Sequence, residues 1–115
     1  MSQVTLEQLS RKSCVPCRGG VPPLTPERAR EYHAAVPAWT LTPDATRLTR
    51  EFTFKDFKDA MAFVNRVAEL AEAEQHHPDI AIHWNRVELV LWTHAIGGLH
   101  ENDFVMAAKV DALRG

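Results

Sequence analysis

Glu72-Ala73-Glu74-Gln75-His76-His77-Pro78-Asp79 concentrates groups able to move protons. Two adjacent imidazoles stand where a long amphipathic segment meets a proline, and a third, His94, follows an alternating apolar stretch. Histidine is the side chain whose unperturbed titration lies nearest neutrality, so three converging imidazoles suit general acid–base work. A residue before proline is pushed out of helical geometry, so His77 is expected extended while His76 ends a helix. The two rings then diverge and can enter one cleft from different sides. Glu72 lies one helical turn before His76, within reach to orient an imidazole or tune its charge. The same run also reads as simple helix termination, since histidine favours a helix C-terminus and proline often follows. Trp92 is either a ligand floor or half-buried sheet surface. Asp103 has a structural reading as an acid in the first turn of a helix. His33, His83 and His100 read as ordinary polar positions.

Three helices and four strands must position these groups. Thr25-Pro26-Glu27 starts a helix with an N-cap, a first-position proline and an acid at the positive end; it runs to about Ala35, ahead of Pro37. Trp39 to Thr42 is a short strand, and Pro43-Asp44 is turn chemistry. Arg47 to Thr53 is a second strand with Leu48 and Phe52 on one face; Arg50 interrupts that face and suggests a sheet edge. Asp56 to Glu74 is the strongest helix, with Phe57, Met61, Val64, Ala68 and Ala71 recurring at three- and four-residue steps, flanked by Ala60, Phe63, Val67 and Leu70. Ile80, Ile82 and Trp84 alternate as a third strand. Val87 to Thr93 is the clearest strand: Val87, Leu89, Leu91 and Thr93 share one face, and Glu88, Val90, Trp92 and His94 the other. Gly97-Gly98 permits a bend, and a last helix, Glu101 to Leu113, turns Phe104, Val105, Ala108 and Leu113 inward. The order α-β-β-α-β-β-α with short loops predicts an α+β two-layer sandwich, a four-stranded antiparallel sheet with three helices on one face. This domain spans 24–115. Residues 1–23 read as an N-terminal arm carrying Cys14-x-x-Cys17, with a possible helical turn over Val4 to Arg11.

Composition excludes several functions. The net charge of −2 gives no bulk drive toward nucleic acid or anionic membrane, and 45% apolar with 24% charged residues is ordinary for a globular domain. No apolar run approaches a membrane span, and no signal peptide is visible. Two cysteines close together near the N-terminus make no disulfide framework, so a reducing cytoplasm is expected. His76, His77, His83 and His94 offer enough nitrogens for zinc, but adjacent histidines are not a usual ligand pair, and no metal is expected. Cys14-x-x-Cys17 lacks the following helix that redox chemistry needs. No phosphate loop in strand-to-helix context and no Ser elbow is present.

Taken together, these residues resemble the pterin-4a-carbinolamine dehydratase family. The matching pattern is Glu72, three residues, His76-His77-Pro78, five residues, Trp84, nine residues, His94, eight residues, Asp103. Phe52-Thr53-Phe54-Lys55-Asp56-Phe57 before the long helix and Gly98-Leu99 before the last also match, and the likeness runs from about Leu24 to Leu113. The resemblance implies dehydration of 4a-hydroxytetrahydropterin to quinonoid dihydropterin in tetrahydropterin recycling, with no metal or organic cofactor. It implies His76, His77 and His94 as catalytic residues and Glu72, Pro78, Trp84, Trp92 and Asp103 around the substrate. His76 and His94 are expected to share acid and base work, and His77 to orient the pterin. Asn102 stands where some relatives have arginine, Gln75 where some have aspartate, and His100 where others carry a stronger Ser or Thr cap. An edge strand should pair with a second copy, giving a homodimer or a homotetramer. Two further readings are a pterin-binding role in molybdenum-cofactor metabolism and a coactivator-like interaction module. The latter needs an exposed apolar stripe on the Asp56 to Glu74 helix.

Overall fold

Alternation along Arg86–Leu91 (β4) buries Val87, Leu89 and Leu91 completely and leaves Arg86 and Glu88 in solvent. The computed structural model describes residues 5–15 and 21–114. In it β4 lies inside a four-stranded antiparallel sheet with Thr40–Leu41 (β1), Leu48–Thr53 (β2) and Asp79–His83 (β3), in the order β1-β2-β4-β3. The register opposes Leu48 to Leu91, Arg50 to Leu89 and Phe52 to Val87, so these six side chains share the face that the helices cover. The expected fold class is therefore the one observed.

Four helices are described: Leu6–Arg11 (α1), Pro26–His33 (α2), Phe57–Glu74 (α3) and Glu101–Arg114 (α4). Asp56 caps α3 by accepting the Asp59 N–H at 2.8 Å. The buried stripe of α3 is Ala60, Phe63, Val64, Val67 and Ala71, whereas Phe57 and Ala68, expected inward, face solvent. Stripes starting at residue 57 or at residue 60 fit a helical period equally. Phe63 decides between them by packing on Phe52 and Phe54, with ring centroids 4.7 and 5.2 Å apart. Residues 102–108 and Val110 of α4 are all buried, because α1, α2 and α3 surround the helix and β4 lies beneath it. A helix enclosed on every side must be apolar nearly all round. The expected inward set, from Phe104 to Leu113, was a single stripe and so too narrow.

Two local expectations change. Arg50 does not mark an edge: β2 lies between β1 and β4. Its guanidinium points under α4 to Asp111, 2.5 Å away, and Asp111 also accepts the Trp39 indole N–H at 2.8 Å. Burial pushes the Asp111 carboxyl above its ordinary value, and the bonds from Trp39 and Arg50 oppose this. The last strand ends at Leu91, not Thr93. His94–Ile96 is a 3₁₀ turn, closed by Gly97 at φ +65° and by the Thr93 N–H bonding to Gly98 O at 2.8 Å.

Within the segment read as an arm, α1 begins with a Thr5–Gln8 capping box and sets Leu9 in the core against α4. Residues 16–20, Cys17 among them, lie outside the described residues. Glu101 fastens this region: its carboxylate accepts from the Tyr32 hydroxyl at 2.7 Å and from Lys12 Nζ at 3.0 Å. Burial works against the Glu101 charge, but these two bonds outweigh it and hold the carboxyl below its ordinary value. A depressed folded-state value means that stabilisation is complete above the unfolded-state value and disappears as pH falls through the folded one. Glu101→Gln should therefore lower stability by about 1 kcal/mol at pH 7. The deficit should shrink toward zero below the usual glutamate range. Thermal unfolding of both proteins between pH 7 and pH 3 measures this, and a deficit constant across that range would refute it.

Candidate active site

A carboxylate without exposed surface needs a donor for each oxygen. Asp103, in the first turn of α4, is 0% exposed. Its Oδ1 meets His76 Nε2 at 2.6 Å, and its Oδ2 accepts the Thr93 hydroxyl at 2.8 Å and the His100 N–H at 3.0 Å. With both oxygens accepting, the His76 Nε2–H donates, and Nδ1 is the ring nitrogen not engaged with Asp103. His100 caps α4: its Nδ1 accepts the Asn102 N–H at 3.0 Å, while Asp103 returns a bond to the His100 backbone. The imidazole thus caps the N–H of the second helical residue, and only the return bond from Asp103 has the form found in a capping box.

The three imidazoles come together. A cleft of about 340 Å³, in the size range of small-molecule sites, is lined by His76, His77, Pro78, Asp79, Trp92 and His94, with Val15, Gln75, Thr93 and Asn102. The chain reaches it through Gln75, whose left-handed conformation at φ +54° ends α3. This turn aims adjacent histidines differently. The side chain of His76 is only 10% exposed and hydrogen-bonds to Asp103; that of His77 is 54% exposed, with Nε2 2.5 Å from Glu72 Oε2. Glu72 therefore meets His77, across the turn, rather than His76. His94 stacks on Trp92 with ring centroids 3.8 Å apart. Asp79 joins this pair, accepting the Trp92 indole N–H at 3.0 Å and lying 3.9 Å from His94 Nε2.

The other expected residues divide. Pro78 is buried and lines the cleft. Trp92 is a cleft wall, and the Arg47 guanidinium covers its ring at 3.6 Å. Asp103 lies beneath the cleft rather than in its lining, as the partner of His76. Trp84 is not brought to the cleft. It sits in the β3–β4 turn, five residues beyond Asp79, roughly 16 Å at about 3.3 Å per residue. His83 is likewise at that far end, and among the described residues no group of three or more His, Cys, Asp or Glu side chains is placed to hold a metal ion. Sequence reasoning missed Asp79, Arg47, Thr93 and Val15. Asp79 had a signal, an acid directly after His-His-Pro; Arg47 and Val15 depend on tertiary placement alone.

Comparison with known proteins shows what the whole chain is similar to. The family model described as pterin 4 alpha carbinolamine dehydratase matches residues 22–113. A protein of Halorhodospira halophila, provisionally named a pterin-4-alpha-carbinolamine dehydratase, is 53% identical over 105 residues, 91% of this chain and 96% of its own. One from Aromatoleum aromaticum with the same provisional name is 51% identical over 107 residues, 93% and 96% of the two chains. Among solved structures, a transcriptional coactivator/pterin dehydratase from Brucella melitensis is similar with TM-score 0.75 and 36% identity, covering 81% of this chain and 99% of that one. A pterin dehydratase-like protein identified as a RuBisCO assembly factor in the α-carboxysome is similar with TM-score 0.59 and 28% identity, covering 68% and 90%.

Cys14 lies behind the cleft wall. Its thiol bonds to Asn102 O at 3.7 Å, and its backbone N–H to Glu74 Oε1 at 2.7 Å. Burial, reinforced by the Glu74 charge and hydrogen bond, pushes the thiol up to about 12. Thiolate is the reactive form, so Cys14 should be inert in the folded protein. Iodoacetamide at pH 8 should leave Cys14 unmodified in the native protein and alkylate it in urea. Peptide mass spectrometry reads the difference; equal labelling in both states would contradict the assignment.

Proposed function

Because the chain belongs to the pterin 4 alpha carbinolamine dehydratase family, we propose that its cleft dehydrates a 4a-hydroxytetrahydropterin to the quinonoid dihydropterin by histidine acid–base catalysis. The observation that carries this reading is the meeting of His76, His77 and His94 in one cleft in three different settings. The reaction expels water: the C4a–O bond breaks, the N5–H proton leaves, and a C4a=N5 bond forms, without any net electron transfer. One group must protonate the departing oxygen and another accept the nitrogen proton. His76, held on a buried carboxylate, and His94, stacked on Trp92 beside Asp79, divide these tasks. His77, exposed and turned to Glu72, orients the pterin. Neither step calls for a metal or an organic cofactor. The product needs a reductase to complete tetrahydropterin recycling, and the free thiol of Cys14 fits a reducing cytoplasm. No helix among the described residues is long and apolar enough to cross a membrane.

His76→Ala and His94→Ala should each lower kcat/KM by ~10²–10³-fold, since a proton-transfer group contributes ~10²–10⁴-fold. His77→Ala should act mainly on KM. Chelator should leave the rate unchanged. Carbinolamine dehydration assays test all four outcomes; full activity in both His76→Ala and His94→Ala would remove the assignment, and loss on chelation would demand a metal.

An interaction role is the weaker reading for this chain, although the Brucella melitensis relative carries coactivator in its name. The outward face of α3 presents Ala62, Asn65, Arg66, Ala68, Glu69, Glu72 and Ala73, and only Phe57 among its residues is an exposed large hydrophobic. Self-association has better support. The edge strand β3 leaves Ile80 and Ile82 each 37% exposed, and Trp84 beside them 63%. An apolar strand edge is a template for pairing. The protein is proposed to form a homodimer or homotetramer through that edge. Light scattering at micromolar concentration should give a mass of two or four chains, reduced by Ile82→Lys; a wild-type monomer would exclude it.

A further inference from the structure

One wall of the cleft comes from the segment before the family match, which begins only at residue 22. Val15 lines the cleft without belonging to the histidine motif, and the residue is 56% exposed. Its backbone is clamped. The Asn102 carboxamide donates from Nδ2 to Val15 O at 2.6 Å and accepts the Val15 N–H at Oδ1 at 3.0 Å. Two antiparallel bonds from one planar amide fix the position of Val15 and the directions of its N–H and C=O, which belong to the two peptide units on either side of its Cα. Asn102 is itself only 3% exposed, so a free carboxamide there would leave buried polar atoms unsatisfied. Leu9, Ser10 and Cys14, ahead of Val15 in the chain, are anchored as well. Glu74 holds the Cys14 N–H, Lys109 Nζ reaches Ser10 O at 3.1 Å, and Leu9 sits in the core.

An apolar side chain held rigidly at the margin of a proton-transfer cleft has no proton to give. What it offers is shape and apolar contact. We propose that Val15 is a specificity-determining wall that selects among pterins by the size of the substituent on the ring, and that Asn102 is the positioning residue holding it. This rests on the dehydratase reading above for its substrate class. It assigns discrimination between substrates to a residue outside the histidine motif, and it gives Asn102 a task that neither a charge nor a longer side chain at that position could perform with the same geometry.

The test uses the full chain with two carbinolamines, one bearing a 6-methyl group and one a 6-dihydroxypropyl group. Equilibrium titrations with the corresponding 7,8-dihydropterins run in parallel. Val15→Trp should raise KM and Kd for the larger ligand relative to the smaller by about five-fold, and Val15→Gly should weaken binding of both by about three-fold, on the scale of one or two apolar carbons. In both variants kcat should stay within about two-fold of wild type, because no proton-transfer group is touched. Asn102→Ala should reproduce the Val15→Gly binding change; Val15 variants keep the proposal testable where Asn102→Ala does not fold. Wild-type turnover with an unaltered preference in both Val15 variants overturns the wall and leaves the enzyme reading standing. No turnover, but a shifted Kd ratio, keeps the wall and removes the reaction. Absence of both turnover and dihydropterin binding in wild type overturns both.

Discussion

A single buried carboxylate organises the working end of this fold. Removing Asp103 from water costs several kcal/mol, which only good hydrogen bonding offsets. Its three partners come from three parts of the chain: His76 just beyond α3, Thr93 just beyond β4 and His100 at the start of α4. Satisfying one charge therefore fixes the relative placement of a helix end, a strand end and a helix start. These are also the segments that carry His76, His77 and His94. Stability and site geometry have the same origin here, and the carboxylate does both without lining the cleft.

The settings of the three imidazoles differ because their supports differ. His76 is enclosed and bonded to a group that cannot move. His77 follows a left-handed Gln75, so its ring swings outward to an exposed glutamate. His94 has no strand to hold it; a 3₁₀ turn, a stacked indole and a nearby Asp79 carboxylate do so instead. The three rings therefore differ in burial, in partner and in the element that carries them.

Much of this was legible in the residues. The element order, the antiparallel sheet and the approach of His94 to the histidines at the helix end follow from periodicity and from His-His-Pro, signals that act over a few residues. What failed depended on neighbours distant in sequence. Trp84 fits the motif by spacing, yet spacing along a strand says nothing about which end faces the cleft. Arg50 looked like an edge marker because its partner, Asp111, is sixty-one positions away. The encirclement of α4 was hidden because α1 is short and its one buried side chain, Leu9, gives no pattern. Val15 had no local signal at all; only the amide pair with Asn102 reveals it.

Asn102 and Asp103 are consecutive on a helix, and successive helical residues point about 100° apart. One grips the apolar margin of the cleft and the other grips the buried imidazole. Both grips are mounted on the first turn of the most enclosed element of the molecule. Any displacement of that turn therefore carries both anchors with it, the one beneath the rim and the one beneath His76.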